Sequence, residues 1–120
     1  MILVAVDDFL FRSKIRTTAK QAGVEVAFPK SATELLEQAR ALHPSMAIFD
    51  LNSATLAPIE TIAAIKQDPA LSSVRTLGFV SHVDTAQIQA ARAAGADEVM
   101  ARSAFAGQLA EILLSAAAPP

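Results

Sequence analysis

The chain of 120 residues contains no cysteine, tryptophan or tyrosine. The absence of cysteine excludes disulfide bridges and thiolate metal ligands, and it is compatible with a reducing cytoplasm, where we expect the protein to reside. Six phenylalanines are the main aromatic content, which leaves little for stacking on nucleic acid bases. The formal net charge of −2 favours neither nucleic acid nor an anionic membrane as a partner of this domain.

Long hydrophobic runs are also missing, although 52% of the residues are hydrophobic. No apolar run approaches the roughly 20 residues that a membrane-spanning helix requires. Strand-like residues follow Met1 directly, so we expect no cleaved signal segment. The length suits one domain with one core, which we place at residues 1–115. Residues 116–120 have the composition of a tail or of the start of a linker.

Short apolar segments alternate with segments of helical periodicity along the whole chain. We expect the helix after Ser31 to bury Leu35, Ala39 and Leu42, with Glu34 reaching back to cap Ser31. The predicted strands are residues 2–6, 24–28, 46–49, 74–80 and 98–101. The predicted helix starts are the capping box at 31–34, Pro58, a second capping box at 84–87 and a cap at Ser103. The predicted helix stops are Gly23, residues 68–69 and Gly95.

Five strands separated by five helices indicate an α/β fold with a parallel sheet covered on both faces. Right-handed crossovers leave few arrangements of such a sheet. The commonest for this size is the doubly wound, flavodoxin-like (βα)5 fold with strand order 2-1-3-4-5. In that order the first and third strands are neighbours, and the crevice at their carboxyl ends is the expected binding position.

Three carboxylates follow these two neighbouring strands. Asp7 and Asp8 end the first apolar run, and Asp50 ends the third. At about 4 Å and an effective dielectric near 20, each pair of like charges costs roughly 4 kcal/mol. A divalent cation with oxygen ligands would offset that cost, so the pattern predicts a magnesium site at this edge of the sheet.

Other chemistries fit the same crevice less well. Two carboxylates after the first strand would repel a flavin phosphate, and the chain has no glycine-rich phosphate loop. His43 and His82 are not spaced for a nucleophilic triad. Magnesium held by the carboxylates could instead polarise a phosphoryl group and leave one carboxylate as its acceptor.

Three segments resemble the receiver domain of two-component response regulators, over nearly the whole chain. They are residues 4–8, with a double acid after the first strand, residues 48–52, with a lone aspartate after the third, and residues 95–98. The resemblance implies that Asp50 accepts a phosphoryl group from a histidine kinase or phosphotransfer protein. It further implies a signalling role toward a downstream protein or a fused output domain. The alanine-rich fourth helix and the apolar fifth helix could also form the face of a homodimer.

The resemblance also implies roles for individual residues. Asp7, Asp8 and Asp50 would hold Mg²⁺ together with the backbone carbonyl of Asn52. Ser81, at the end of the fourth strand, would match the hydroxyl that hydrogen-bonds the phosphoryl oxygen. The domain would not be an enzyme beyond transferring and losing its own phosphoryl group.

Four departures from the family pattern lie around this site. Arg102-Ser103 stands where members carry Lys-Pro, and a planar guanidinium does not replace a compact ammonium without consequence. Val99 stands where an aromatic residue is usual, and His82 where a small residue is usual. The residues at 53–54 replace a usual Met-Pro pair.

Alternatives remain open at the sequence level. Arg102 could form a static ion pair with Asp8 or Asp50 and supply the charge that a metal would otherwise provide. The site would then be structural. A second alternative, motivated by Arg102, Val99 and His82, is a phosphorylation-independent interaction module that kept the fold and lost the switch. A third reading is an enzyme acting on a small phosphorylated metabolite, which would need a roomy pocket above the carboxylates.

Overall fold

Strands and helices alternate in the computed structural model, which describes residues 1–53, 55–81 and 84–117. The strands are β1 (Ile2–Ala5), β2 (Val26–Ala27), β3 (Met46–Asp50), β4 (Arg75–Val80) and β5 (Glu98–Ala101). The helices are α1 (Phe9–Ala22), α2 (Ala32–Leu42), α3 (Pro58–Gln67), α4 (Thr85–Ala93), α5 (Arg102–Gly107) and α6 (Leu109–Ala117).

The five strands form one parallel sheet in the order β2-β1-β3-β4-β5, which confirms the predicted topology. In its register, Ala5 pairs with Phe49, and Asp50 pairs with Phe79. The carboxyl ends of β1, β3 and β4 therefore lie side by side. This edge of the sheet receives the residues that follow each strand.

Both faces of the sheet are covered by helices, as the continuous apolar strands require. On one face, Phe11 of α1 and Phe105 of α5 pack on Phe79 of β4, with ring centroids 4.7–5.8 Å apart. On the other face, a second cluster joins the sheet to α2, α3 and α4. The central strands are thus buried from both sides and hold their carboxyl ends in fixed positions.

The predicted helix signals are largely confirmed at the starts of α2, α3 and α4. Ser31 caps α2 by accepting the N–H of Glu34, and Pro58 occupies the first turn of α3. The reciprocal half of the capping box is wrong, because the Glu34 carboxylate accepts from Gln38 instead. Leu42 is also not buried: the residue is 46% exposed at the end of α2, where the chain turns at His43.

The C-terminal part of the chain departs furthest from the prediction. Ser103 does not cap the last helix, because the chain is already helical at Arg102, immediately after β5 ends. The predicted single helix is two, separated at Gln108, whose φ of −111° and ψ of 11° are not helical. The second of them extends through Ala117, so the first two residues of the predicted tail are helical, while 118–120 lie outside the described residues.

The second strand is also shorter than predicted, since β2 covers Val26–Ala27 rather than 24–28. It is an edge strand that pairs with β1 alone, and Val24 is tied instead to the end of α1 through Ala19. Among the described residues, no helix combines the length and the apolar character needed to cross a membrane.

Candidate functional site

The predicted site residues meet at the carboxyl edge of the sheet. Asp7 and Asp8 follow β1, Asp50 ends β3, Ser81 follows β4 and Arg102 follows β5. Parallel strands end on the same side, so the topology gathers these residues without any long loop. Topology predicted this position for the three aspartates, and the resemblance to receiver domains added Ser81 and Arg102.

Asp50 is the most buried of the three carboxylates, with 7% of the residue exposed. Its Oδ1 accepts the backbone N–H of Asn52 at 2.9 Å, whereas its Oδ2 accepts no hydrogen bond from the described residues. Burial raises the pKa of Asp50 above its ordinary value of 3.8, opposed by the Asn52 N–H and the charge of Arg102. The negative charges of Asp7 and Asp8 raise the pKa of Asp50 further.

Asp8 is fully engaged by the protein. It caps α1, with Oδ1 accepting the N–H of Phe11 at 3.1 Å, and Oδ2 accepts from Nη2 of Arg102 at 2.9 Å. The hydrogen bond from Arg102, followed by that from Phe11, holds the pKa of Asp8 below 3.8. The ion pair that the sequence left open is therefore present, with Asp8 as the partner of Arg102.

Arg102 is held by more than its charge. Its guanidinium carbon lies 4.2 Å from the centroid of the Phe11 ring, within the range of a cation–π contact. Phe11 is itself fixed edge-on against Phe79 and Phe105. The guanidinium thus has two anchors, one of them in the core.

Asp7 points its carboxylate toward the loop between β3 and α3. It accepts hydrogen bonds from the hydroxyls of Ser53 and Thr55, the latter at 2.9 Å. Ser53 Oγ in turn accepts the N–H of Leu56 at 3.1 Å. Sequence reasoning missed these two hydroxyls, although two hydroxyl residues soon after Asp50 were a visible signal.

Two side-chain amides connect the loop after Asp50 to the residue that follows β4 and to the first turn of α4. Asn52 Oδ1 accepts the N–H of Ser81 at 2.8 Å, and Gln87 Nε2 donates to the carbonyl of Leu51 at 2.6 Å. From the sequence, Gln87 is expected only as part of a capping box, so this contact is not predicted. Asp84 does cap α4 through the Gln87 N–H, which leaves the amide side chain of Gln87 free to reach across.

A cavity of about 740 Å³ opens beside Ser81 and Arg102. Val99, which stands where the family has an aromatic residue, lines this cavity with Ile88 and Arg92. His82, the other unusual residue of this region, lies outside the described residues.

The oxygen donors at this edge have the chemistry that Mg²⁺ prefers, but their present arrangement favours protein partners. Within the ranges 1–53, 55–81 and 84–117, no group of three His, Asp or Glu side chains is placed to hold one metal ion. Asp8 would have to exchange Arg102 for the ion, and Asp7 would have to turn from the loop hydroxyls. The assignment of Asp7, Asp8, Asp50 and Asn52 as ligands stays a prediction.

Three solved structures resemble the chain in fold. The phosphorylated cyanobacterial phytochrome response regulator RcpA is 22% identical, with 95% of this chain and 88% of that one covered and a TM-score of 0.78. The chemotaxis response regulator CheY4 of Vibrio cholerae is 20% identical, with 96% of each chain covered and a TM-score of 0.81. The Mn²⁺-bound response regulator Rcp1 is 16% identical, with 95% and 88% covered and a TM-score of 0.71.

No curated relative matches the sequence. The family model for the response regulator receiver domain matches residues 2–114, which is nearly the whole of the described fold. The fold, the strand order and the acidic edge agree with that match. The chain therefore belongs to the response regulator receiver domain family.

Proposed function

We propose that this domain is a signalling switch in which Asp50 accepts a phosphoryl group. The observation that carries the proposal is the free oxygen of Asp50: Oδ1 is held by the Asn52 N–H, while Oδ2 has no donor among the described residues. A buried carboxylate with one oxygen fixed and the other unengaged is oriented for nucleophilic attack. Asp7 and Asp8 each have both oxygens engaged, which makes them poorer acceptors.

The transfer itself is a displacement at phosphorus. A bond forms between Asp50 Oδ2 and phosphorus while the bond from phosphorus to the donor breaks, and the donor's leaving group takes up a proton. For a phosphohistidine of a histidine kinase or phosphotransfer protein, the broken bond is P–N and the leaving group is imidazole. Burial raises the pKa of Asp50, so the attacking oxygen is the anion only above that raised pKa.

The phosphoryl group brings negative charge to a site that already contains three carboxylates. Arg102 is the positive side chain at this edge, and its charge already acts on Asp50. Ser81 lies at the end of β4, beside β3, where its hydroxyl can donate to a phosphoryl oxygen. We assign Mg²⁺ to Asp7, Asp8, Asp50 and the Asn52 carbonyl; when bound, the ion would neutralise phosphoryl charge.

The loop after Asp50 offers a route for the signal. Asn52 holds the N–H of Ser81, and Gln87 of α4 holds the Leu51 carbonyl. A phosphoryl group on Asp50 changes the surroundings of both contacts, and α4 is the element that would respond. The readout would be binding to a downstream protein or to a fused output domain, in the cytoplasm as for the family in general.

A second function has its own support. The ion pair between Arg102 and Asp8, together with Val99 in place of an aromatic residue, favours a phosphorylation-independent interaction module. In that case a partner would bind wild type and Asp50→Asn equally, whereas a phosphorylation switch would change the affinity. An enzyme of metabolite turnover would need a pocket above the carboxylates, but the cavity of about 740 Å³ is lined by Ser81 and Arg102 and by none of the three aspartates. We therefore propose that the domain turns over its own phosphoryl group only.

Intact-mass measurement after incubation with Mg²⁺ and a small phosphodonor such as acetyl phosphate tests the proposal. We expect one added phosphoryl group on wild type and none on Asp50→Asn. Asp68→Asn is the matched control, because Asp68 follows α3 at the opposite, amino-terminal edge of the sheet, where it pairs with Arg40. Its substitution should not affect phosphorylation. Wild type that gains no mass with any donor would favour the interaction module.

A further inference from the structure

We propose that Arg102 is the resident cation of the acidic site and competes with the divalent metal for Asp8, so that Arg102 sets the affinity for Mg²⁺. The inference rests on the proposed function only in assuming that the site takes a metal. It concerns an exchange at one oxygen of one carboxylate. Asp8 Oδ2 is that oxygen, and it accepts from Arg102 at 2.9 Å.

The first support is that both oxygens of Asp8 already accept a hydrogen bond from the protein. Oδ1 caps α1 through the N–H of Phe11, and giving it up would uncap the helix. Oδ2 is the oxygen whose release leaves the helix intact. A metal ion that uses Asp8 without loosening the cap therefore binds at the oxygen that Arg102 now occupies.

The second support is electrostatic. A guanidinium at 2.9 Å from Oδ2 and a divalent ion on the same oxygen would bring a single and a double positive charge into near contact. Like charges that close repel strongly even at the dielectric of a protein surface. The two cations therefore exclude one another, and metal binding includes the removal of Arg102.

The third support is that Arg102 does not leave freely. Its guanidinium lies 4.2 Å from the Phe11 ring centroid, and Phe11 is 7% exposed and wedged between two other phenylalanines. A planar guanidinium can stack on a ring and pair with a carboxylate at once, whereas a lysine ammonium is a flexible point charge. The stacking adds to the cost that the metal must overcome.

The fourth support is that the displaced side chain has somewhere to go. Arg102 lines the cavity of about 740 Å³ that extends past Ser81 to Val99. A bulky aromatic at position 99 would fill part of this space, but valine leaves it open. The cavity therefore offers the displaced guanidinium a place away from Asp8.

Metal titration without any phosphodonor tests the proposal. Mg²⁺ is added to ¹⁵N-labelled protein, and the amide signals of Asp8 and Asn52 and the Arg102 Nε–H signal are followed. We expect Arg102→Ala to bind Mg²⁺ roughly threefold to thirtyfold more tightly than wild type, from the usual strengths of a partly exposed ion pair and a cation–π contact. Arg102→Lys, which keeps the charge and loses the stacking, should lie between them.

Arg92→Ala is the matched control, since Arg92 lines the same cavity and makes no ion pair among the described residues. Arg92→Ala also removes one positive charge near the site, so any gain in Mg²⁺ affinity that it shows measures only the loss of long-range charge repulsion. In wild type the Arg102 Nε–H signal should move with the same midpoint as the Asp8 amide.

Equal affinities of Arg102→Ala and Arg92→Ala would overturn the proposal, and so would an absence of Mg²⁺ binding in every variant. Arg102→Lys keeps the comparison valid if Arg102→Ala proves unstable. Because no phosphodonor is present, failure of Asp50 to accept a phosphoryl group in the separate mass experiment would leave this result standing.

Discussion

Three aspartates at one sheet edge differ because their neighbours differ. Asp50 ends a central strand and is nearly buried, so its pKa is raised, chiefly by burial. Asp8 caps a helix and pairs with Arg102, so its pKa is lowered. Asp7 is exposed and accepts from two loop hydroxyls. Residue type alone does not separate an acceptor from a ligand or a cap; the separation comes from burial and from the donors around each oxygen.

The buried charge of Asp50 has a measurable cost at neutral pH. A carboxyl whose pKa is higher in the folded than in the unfolded protein opposes folding while it is ionised. Asp50→Asn should therefore raise the melting temperature at pH 7 by a few degrees, which corresponds to about 1 kcal/mol for a domain of this size. The Asn52 N–H keeps its acceptor in the variant, so the change reports the charge.

The stability difference between Asp50→Asn and wild type should also depend on pH. The stability difference should be largest at neutral pH, shrink as the pH falls through the raised pKa of Asp50, and vanish below the ordinary value of 3.8. Thermal denaturation followed by circular dichroism across this range measures it. Glu25→Gln, an exposed carboxylate on the opposite edge, controls for net charge. An Asp50→Asn variant less stable than wild type at pH 7 would contradict the account.

At the scale of elements, the sequence predicted least well the helix starts whose side chains contact distant parts of the chain. The helix after β5 begins at Arg102 without a capping side chain, because its N-cap residue is Ala101, and the guanidinium of Arg102 reaches back to Asp8 and Phe11. Gln87 begins α4 and also reaches the loop after β3. Both contacts join elements far apart in sequence, so local capping rules could not predict them.

Lys66 joins α3 to the opposite edge of the sheet. Its Nζ donates to the Val74 carbonyl and to Asp97, both at 2.7 Å, and Asp97 also accepts from Thr76. Burial raises the pKa of Asp97, but the hydrogen bonds from Lys66 and Thr76 outweigh it and leave a net lowering. We expect Lys66→Met to destabilise the domain by about 1–2 kcal/mol, because the Val74 carbonyl loses its charged donor and Asp97 its counter-ion.

The ionised Asp97 carboxylate stabilises the folded protein, whereas the ionised Asp50 carboxylate destabilises it, so the two contributions to stability have opposite signs. A lowered pKa contributes stability that is present above the ordinary value of 3.8 and lost as the pH falls through the folded value. The difference between wild type and Lys66→Met should therefore be constant at neutral pH and shrink in acid. Urea denaturation measures it, with Lys20→Met as a control that removes an exposed lysine from α1. Equal stability of the two lysine variants would contradict the assignment.

For the whole molecule, the fold could be predicted from the alternation of apolar strands with helices that have clear start and stop residues. Strand order then placed Asp7, Asp8 and Asp50 at one edge, because that placement depends only on topology, and the resemblance to receiver domains added Ser81 and Arg102. The direction of each side chain could not be predicted. Asp7 turns to hydroxyls 46 and 48 residues away, and Arg102 meets Asp8 across 94 residues. Such contacts depend on the packed positions of the loops and of Phe11, which the pattern of one sequence does not contain.

The account depends most on Asp50 being the residue that carries the phosphoryl group. Borohydride reduces an acyl phosphate of aspartate to homoserine, so treatment of the phosphorylated protein followed by peptide mass mapping identifies the acceptor directly. We predict conversion at position 50 alone. Conversion at position 7 or 8, or protein that takes up phosphoryl without conversion at 50, would contradict the assignment of the buried carboxylate as the acceptor.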